Sequence, residues 1–414
     1  MVRDVLAGFD LREYNSSVQR FFLFAIPIFS SLALYSLLYN LYLVRLSYQE
    51  DFIGHLAGLF PLASGLVAIP AGILSDRFGR KPLLILASVI LGISQLGLCW
   101  VTVDAYLLAF SFLGGIGGAF VFVNFIPFLA ENADASRRSQ AIAIWMSIQV
   151  VTRMLVSLVG GALPGAMAWL TGLSTDMPEP FRYALMLGAG LSLVALIPIV
   201  GVPSKEAALT SDEEASDESP KSASTPWKHL ILFGSISACR GLTMGLSFPF
   251  LNVFFESGYS ASTVAIGTIF FASMAIGLPS TICAPALGRR FGPGRTIIPL
   301  RLIGAVALGM MGWTGNYEMA IALFLVSSVM EAITVPTEMT FATHTLPRAY
   351  WARMQSLRVA GFQILSGLGS FWAGGLIIEY GYDVPFALAG VARVGSSLLF
   401  LAAFGFTRRS GGTG

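Results

Sequence analysis

Twelve separate stretches of this chain run for roughly 20 residues or more with almost no charge, and each is long enough to cross the hydrocarbon core of a bilayer as a helix. Nothing else in the sequence constrains the fold as tightly. Divided at charges and turn residues, the stretches cover residues 20 to 45, 53 to 74, 82 to 102, 105 to 130, 140 to 170, 182 to 202, 228 to 255, 262 to 287, 294 to 314, 318 to 343, 354 to 379 and 384 to 406. Composition agrees, since 55% of the 414 residues are hydrophobic and only 12% charged, against about 25% charge in a soluble domain. The fold predicted is an all-α membrane protein of twelve transmembrane helices.

Lys and Arg mark the cytoplasmic loops of such proteins. With the N-terminus inside, that side holds Arg3, Arg12, Arg20, Arg77, Arg80, Lys81, Arg137, Arg138, Lys205, Lys221, Lys228, Arg289, Arg290, Arg295, Arg348, Arg353, Arg408 and Arg409, against Arg45 and Arg182 outside. Both termini are therefore expected in the cytoplasm, with the chain multi-pass in the cell (inner or plasma) membrane. The first 17 residues carry Arg3, Asp4, Asp10, Arg12 and Glu13 and do not read as a cleavable signal peptide, so the first stretch is expected to remain as an anchor. A net charge of +2, with arginines in short clusters, gives no reason to expect nucleic acid as a partner. Cys99, Cys239 and Cys283 fall in apolar stretches without metal-ligand spacing. No Ser/His/Asp set, metal cluster or phosphate loop is recognisable, so no enzyme activity, metal or cofactor is expected.

Residues 203–226 are rich in Ser, Ala, Thr, Asp and Glu and lack aromatics, a composition that cannot bury enough apolar area to offset its ordering entropy. The domain plan that follows is a cytoplasmic N-terminal segment (1–19), an N-terminal six-helix bundle (20–202), an acidic cytoplasmic linker (203–226), a C-terminal six-helix bundle (227–407) and a cytoplasmic tail (408–414). An internal repeat supports the two bundles. Arg77-Phe78-Gly79 recurs as Arg290-Phe291-Gly292 at an offset of 213 residues, Gly54 and Gly267 keep that offset, and Gln149 with Gly160-Gly161 recurs as Gln363 with Gly374-Gly375 at 214.

The loop Gly72-Ile-Leu-Ser-Asp76-Arg77-Phe-Gly79-Arg80-Lys81-Pro82 resembles the one between helices two and three of the major facilitator superfamily. In physical terms Gly72 permits close helix contact, Asp76 can pair with a cation or a helix N-terminus, and Arg77, Arg80 and Lys81 hold the loop at the inner face. The resemblance implies two pseudo-symmetric six-helix bundles, alternating access, and a conformational latch of Gly72, Asp76, Arg77, Gly79, Arg80 and Lys81 with Asp76 at its centre. Glu131, after the fourth stretch, resembles the charged loop that pairs with this latch, and otherwise reads as a solvated turn. The second copy has Arg289 in place of Asp76, so the N-terminal latch alone looks complete.

Ionisable groups at bilayer depth normally face a cavity or a partner, and here they are Arg153, Arg240, Arg301, Glu331, Glu338, Arg358 and Arg393. The resemblance places spans one, four, seven and ten around a central cavity, helped by two, five, eight and eleven. Arg153, Arg240 and Glu331 then rank first, with Gln149 one turn from Arg153 on the same face. Arg153 either compensates a ligand's charge or forms an interhelical ion pair. Glu331 is the candidate proton-coupling residue, because a change of partner alters a carboxylate's proton affinity; the alternative is a permanent salt bridge to Arg240 or Arg153. Glu338, seven residues on, and Arg358 are gate candidates, Arg393 a gate or packing residue, and Arg301 a residue that snorkels to the cytoplasmic face. Arginines in spans five and nine with a carboxylate in span ten are similar to the set in lactose-permease-type proton symporters. Further cavity candidates are Asn40, Asn124, Gln363 and Tyr39, the last in a Tyr35, Tyr39, Tyr42 stripe that suits a solute pocket or helix packing equally.

The function expected is secondary active transport of a small solute by alternating access, coupled to H+, by a monomer in the lipid bilayer. Proton-driven export of drugs or amphipathic compounds is the alternative, and a transporter-like membrane sensor is a remote one.

Overall fold

The computed structural model describes residues 14–134, 136–203, 226–347 and 350–405. The start of the N-terminal segment, nearly all of the acidic linker and the tail lie outside the described residues, as do Arg3, Arg12, Lys205, Lys221, Arg348, Arg408 and Arg409 of the orientation argument.

Twelve helices long and apolar enough to cross a membrane account for almost all of the described chain. They are α1 Ser16–Arg45, α2 Glu50–Phe78, α3 Arg80–Trp100, α4 Asp104–Asn132, α5 Arg138–Thr171 and α6 Pro178–Val200, then α7 Trp227–Tyr259, α8 Thr263–Phe291, α9 Pro293–Met311, α10 Tyr317–Thr345, α11 Trp351–Tyr380 and α12 Asp383–Phe404. Each coincides with one apolar stretch, and several run a turn beyond it because their charged ends stay helical outside the apolar core. Local signals set the ends. Asn15 and Asn316 accept hydrogen bonds from the Val18 and Met319 amides, both at 3.0 Å, and so cap α1 and α10. Gly172 stops α5 in a left-handed conformation. Pro249 sits in a 3₁₀ turn over Phe248–Phe250 that interrupts α7.

The helices form two compact units, one of Met1–Ser47, Leu66–Leu209 and Ser262–Thr268, the other of Tyr48–Gly65, Thr210–Ala261 and Ile269–Gly414. The first half of α2 thus belongs with the second unit, and the first turns of α8 with the first.

In the first unit, α1 packs against α5 and α6, and α3 against α4 and α6. Phe21, Phe29, Phe125, Phe128 and Trp145 form its aromatic core, with Phe21 stacked on Phe128 at 4.6 Å. Beside it runs a buried polar seam. Ser31 and Ser192 both donate to Gln95 Oε1 at 2.8 Å, and Tyr35 donates to the Gln95 carbonyl at 2.6 Å, so α1, α3 and α6 are fixed in rotation as well as in contact. In the second unit, α7 lies along α11 and also meets α12, while α9 packs between α10 and α12. Phe233, Phe341, Phe400 and Phe404 fill the end of that unit.

The glycine repeat read from the sequence explains how each unit takes in a segment from elsewhere in the chain. In the second unit a Cβ on Gly54 would fall 2.5 Å from the Ser370 carbonyl oxygen and 3.1 Å from Gly374 Cα. In the first unit a Cβ on Gly161 would fall 2.5 Å from the Thr263 carbonyl and 3.2 Å from Gly267 Cα. Gly54 and Gly267 are copies of one position at an offset of 213, and the contacts pair Gly161 with Gly374 at that same offset, one residue from the 214 register that aligns Gly160-Gly161 with Gly374-Gly375. The two crossings are therefore one contact made twice, and only glycine lets the backbones approach so closely.

Candidate substrate and coupling site

Two polar clusters stand out, one in each unit. The first unit holds the loop between α2 and α3. Gly79 has φ +87, and its repeat Gly292 has φ +86, so both copies turn through a conformation that favours glycine. Arg80 is the hub of this loop. Its guanidinium pairs with Asp76 at 2.6 Å and Glu131 at 2.9 Å and donates to Ser75 Oγ at 2.6 Å. Ser75 in turn donates to Asn124, whose side-chain amide donates to the Phe120 carbonyl at 2.7 Å. Lys81 donates to the Val202 carbonyl at 2.5 Å. Glu131 therefore joins the loop and is more than a solvated turn. Arg77 lies over its neighbour Phe78, with the guanidinium 5.4 Å from the ring centre.

Among the described residues a Cβ on Gly72 would meet only Val123, at 3.9 Å, so the close helix contact expected there does not form among them. Asn124, expected in a cavity, is fully buried against Ser75.

The tyrosine stripe also turns inward to packing. Tyr35 contacts Cys99 Sγ at 3.0 Å, Tyr42 donates to the Cys99 carbonyl at 2.9 Å, and Tyr39 is buried between the two rings. Asn40 is buried beside them. On α5, Arg153 and Gln149 are half-buried, and among the described residues neither makes a hydrogen bond or ion pair with a side chain or backbone group.

The second unit carries the larger cluster, built on α10. Glu331 and Glu338 are two turns apart on one face of the helix, and each is clamped between two arginines from different helices. Arg240 of α7 reaches Glu331 Oε1 through Nε at 3.0 Å and Nη2 at 2.8 Å, and Arg393 of α12 reaches Oε2 at 2.9 Å. Arg393 also donates to Ser327 Oγ at 2.7 Å. Arg301 of α9 pairs with Glu338 Oε2, and Arg358 of α11 reaches Oε1 at 2.9 Å while donating to Ser237 Oγ of α7 at 3.1 Å. Four helices thus each contribute one arginine to α10.

The two clamps differ in access. Glu338 and Arg301 side chains are fully buried, and Arg358 is 8% exposed. By contrast 37% of the Glu331 side chain is exposed, although its partners Arg240 and Arg393 are only 13% and 4% exposed. The Glu338 clamp is a sealed ionic rivet, whereas the Glu331 clamp opens to the surroundings.

Sequence reasoning placed Arg240 beside Glu331 as an alternative and missed the rest. Arg301 does not snorkel outward, because Glu338 holds it inside. Arg393 comes to Glu331 from α12, a helix outside the eight expected around the cavity. The available signal was numerical: four embedded arginines and two glutamates in one half require shared partners. Gln363 donates to Ser64 Oγ at 3.3 Å within the same unit.

The family model of the Major Facilitator Superfamily matches residues 21–317 and 233–413. Curated relatives include the enterobactin exporter EntS of Escherichia coli O127:H6 and of Escherichia coli O6:H1, each 24% identical over 318 residues that cover 72% of either chain. Among solved structures, a bacterial homologue of the human lysosomal transporter Spinster superposes with a TM-score of 0.72 at 18% identity, over 94% of this chain and 95% of that one. A D-xylose–proton symporter superposes at 0.71 and 18% identity, over 94% and 97%. Twelve apolar helices and a family match across nearly the whole length leave one assignment: the chain is a multi-pass membrane protein belonging to the major facilitator superfamily of transporters.

Proposed function

We propose that this protein is a proton-coupled secondary active transporter of a small solute, working by alternating access as a monomer in the cell membrane with both termini cytoplasmic. The observation that carries this reading is the Glu331 clamp. A carboxylate at bilayer depth, 37% exposed and held by arginines from two helices, can lose a partner when those helices shift and take a proton instead. Glu338 has no such access, which makes it a fixed joint and leaves Glu331 as the coupling group. Arg80, with Asp76 and Glu131, serves as a latch that favours one conformation of the cycle.

Proton movement tests the assignment directly. In proteoliposomes with a trapped pH-sensitive dye, solute-driven proton flux should vanish in Glu331→Gln, while solute exchange without a gradient persists. Equal proton flux in the variant and the native chain would remove Glu331 from the coupling role.

A further inference from the structure

The embedded charge of this chain does not balance. Among described Arg, Lys, Asp and Glu side chains at least five residues inside both ends of a span, Arg153, Arg240, Arg301, Arg358 and Arg393 stand against only Glu331 and Glu338. Three positive charges are left over, and a guanidinium does not shed its proton to escape the cost. Two of the five are sealed: Arg301 is fully buried and Arg393 is 4% exposed. Arg240 is different. It commits Nε and Nη2 to a single oxygen of Glu331, and among the described residues its Nη1 makes no hydrogen bond. The Glu331 carboxylate it holds is the open one, and the guanidinium also lies 5.9 Å from the centre of the Phe362 ring. A cation whose internal counterion is reachable from outside, beside an aromatic face, matches the head and ring of an aryl anion.

We propose that Arg240 binds the carboxylate or sulfonate head of an amphipathic aromatic anion, with Phe362 against its ring and Glu331 as the counterion it displaces. This rests on the transporter reading for the cargo it names. Charge explains why the exchange is feasible. The incoming anion replaces one negative partner of Arg240 with another, and Arg393 keeps its hydrogen bonds to the Ser327 hydroxyl and carbonyl whether Glu331 is charged or protonated. The freed carboxylate then becomes the group open to a proton, and cargo binding and proton uptake are one event.

Binding can be measured on the purified full chain in phosphatidylcholine nanodiscs, with 1-naphthoate and 1-naphthalenesulfonate as anions and methyl 1-naphthoate and 1-naphthylmethylammonium as neutral and cationic controls. The two anions should bind at least about 10-fold more tightly than either control. Glu331→Gln, which removes the competitor, should tighten 1-naphthoate binding by about 3- to 10-fold, and Arg240→Gln should abolish it. The doubly substituted Arg240→Gln/Glu331→Gln chain, which removes both charges of that pair and leaves Arg393 held by Ser327, guards against misfolding when its unfolding midpoint matches that of Glu331→Gln, and should still fail to bind. Equal affinity for acid and ester, or weaker anion binding in Glu331→Gln, would overturn the proposal. Displacement of 1-naphthoate by phosphatidylglycerol with the same Arg240 dependence would also overturn it, since the site would then hold a lipid headgroup. Glu331-dependent proton flux with the ester but no naphthoate binding would remove the anion site and leave the transporter. Arg240-dependent binding without flux of any solute would do the reverse.

Discussion

Glu331 and Glu338 carry the same number of arginines, and what separates them is exposure, 37% against none. Removing one partner from a sealed ion cluster strands a buried charge and costs about 3–5 kcal/mol, far more than loss of an exposed pair, which costs about 0.2–1 kcal/mol. Glu338→Ala leaves Arg301 and Arg358 both buried and unpaired, so it should lower stability by that larger amount. Glu331→Ala should cost less, because Arg393 keeps the Ser327 hydroxyl and carbonyl as acceptors and Arg240 is 13% exposed, whereas Arg301 is fully buried. Urea titration of the purified protein followed by tryptophan fluorescence checks the order, and equal losses would show that access does not distinguish the clamps. Arg80 follows the same logic at the loop: its partner Asp76 is 72% exposed, so the 2.6 Å pair contributes little to stability and is free to break during a cycle.

At the scale of helices, the close crossings are where the fold is least tolerant. Gly161 meets the Thr263 carbonyl and Gly267, and a leucine there has no space without moving α5 away from α8. Gly161→Leu should therefore abolish transport while Gly165→Ala, where nothing lies within 4 Å of an added Cβ, should leave it unchanged. Flux measurements on the two variants at matched expression separate these outcomes. The crossings were legible beforehand as a glycine repeat, because a backbone contact leaves its mark on the residues that make it. Side-chain partners leave no such mark. The Tyr35, Tyr39, Tyr42 stripe was read correctly as one helical face, yet the sequence carries no information on the rotation of α1, and the face turns to Cys99 of α3. The outward placement of Arg301 fails, and the partner of Arg393 goes unforeseen, for the same reason: the depth of a residue in its span is countable, but the neighbour it meets depends on the packing angle of the helices.

Across the whole molecule, span number and repeat could be read from charge and glycine spacing, and the family match agrees with both. The division of labour between the copies is less visible in sequence. Both copies keep the glycine turn at Gly79 and Gly292, but the acidic partners of the loop sit in the first copy, and the glutamate clamps of α10 sit in the second. In the proposed mechanism one copy supplies the latch and the other the coupling charge, so the halves of the duplicated chain are no longer equivalent. In that proposed mechanism a proton gradient drives a solute through this protein by way of Glu331. Its most direct test is accumulation of a radiolabelled aryl carboxylate, 1-naphthoate, in proteoliposomes under an imposed pH gradient. The native chain should accumulate it above equilibrium and lose that accumulation when a protonophore collapses the gradient, with Glu331→Gln reaching equilibrium only. Accumulation that survives the protonophore, or that is unchanged in Glu331→Gln, would contradict the account.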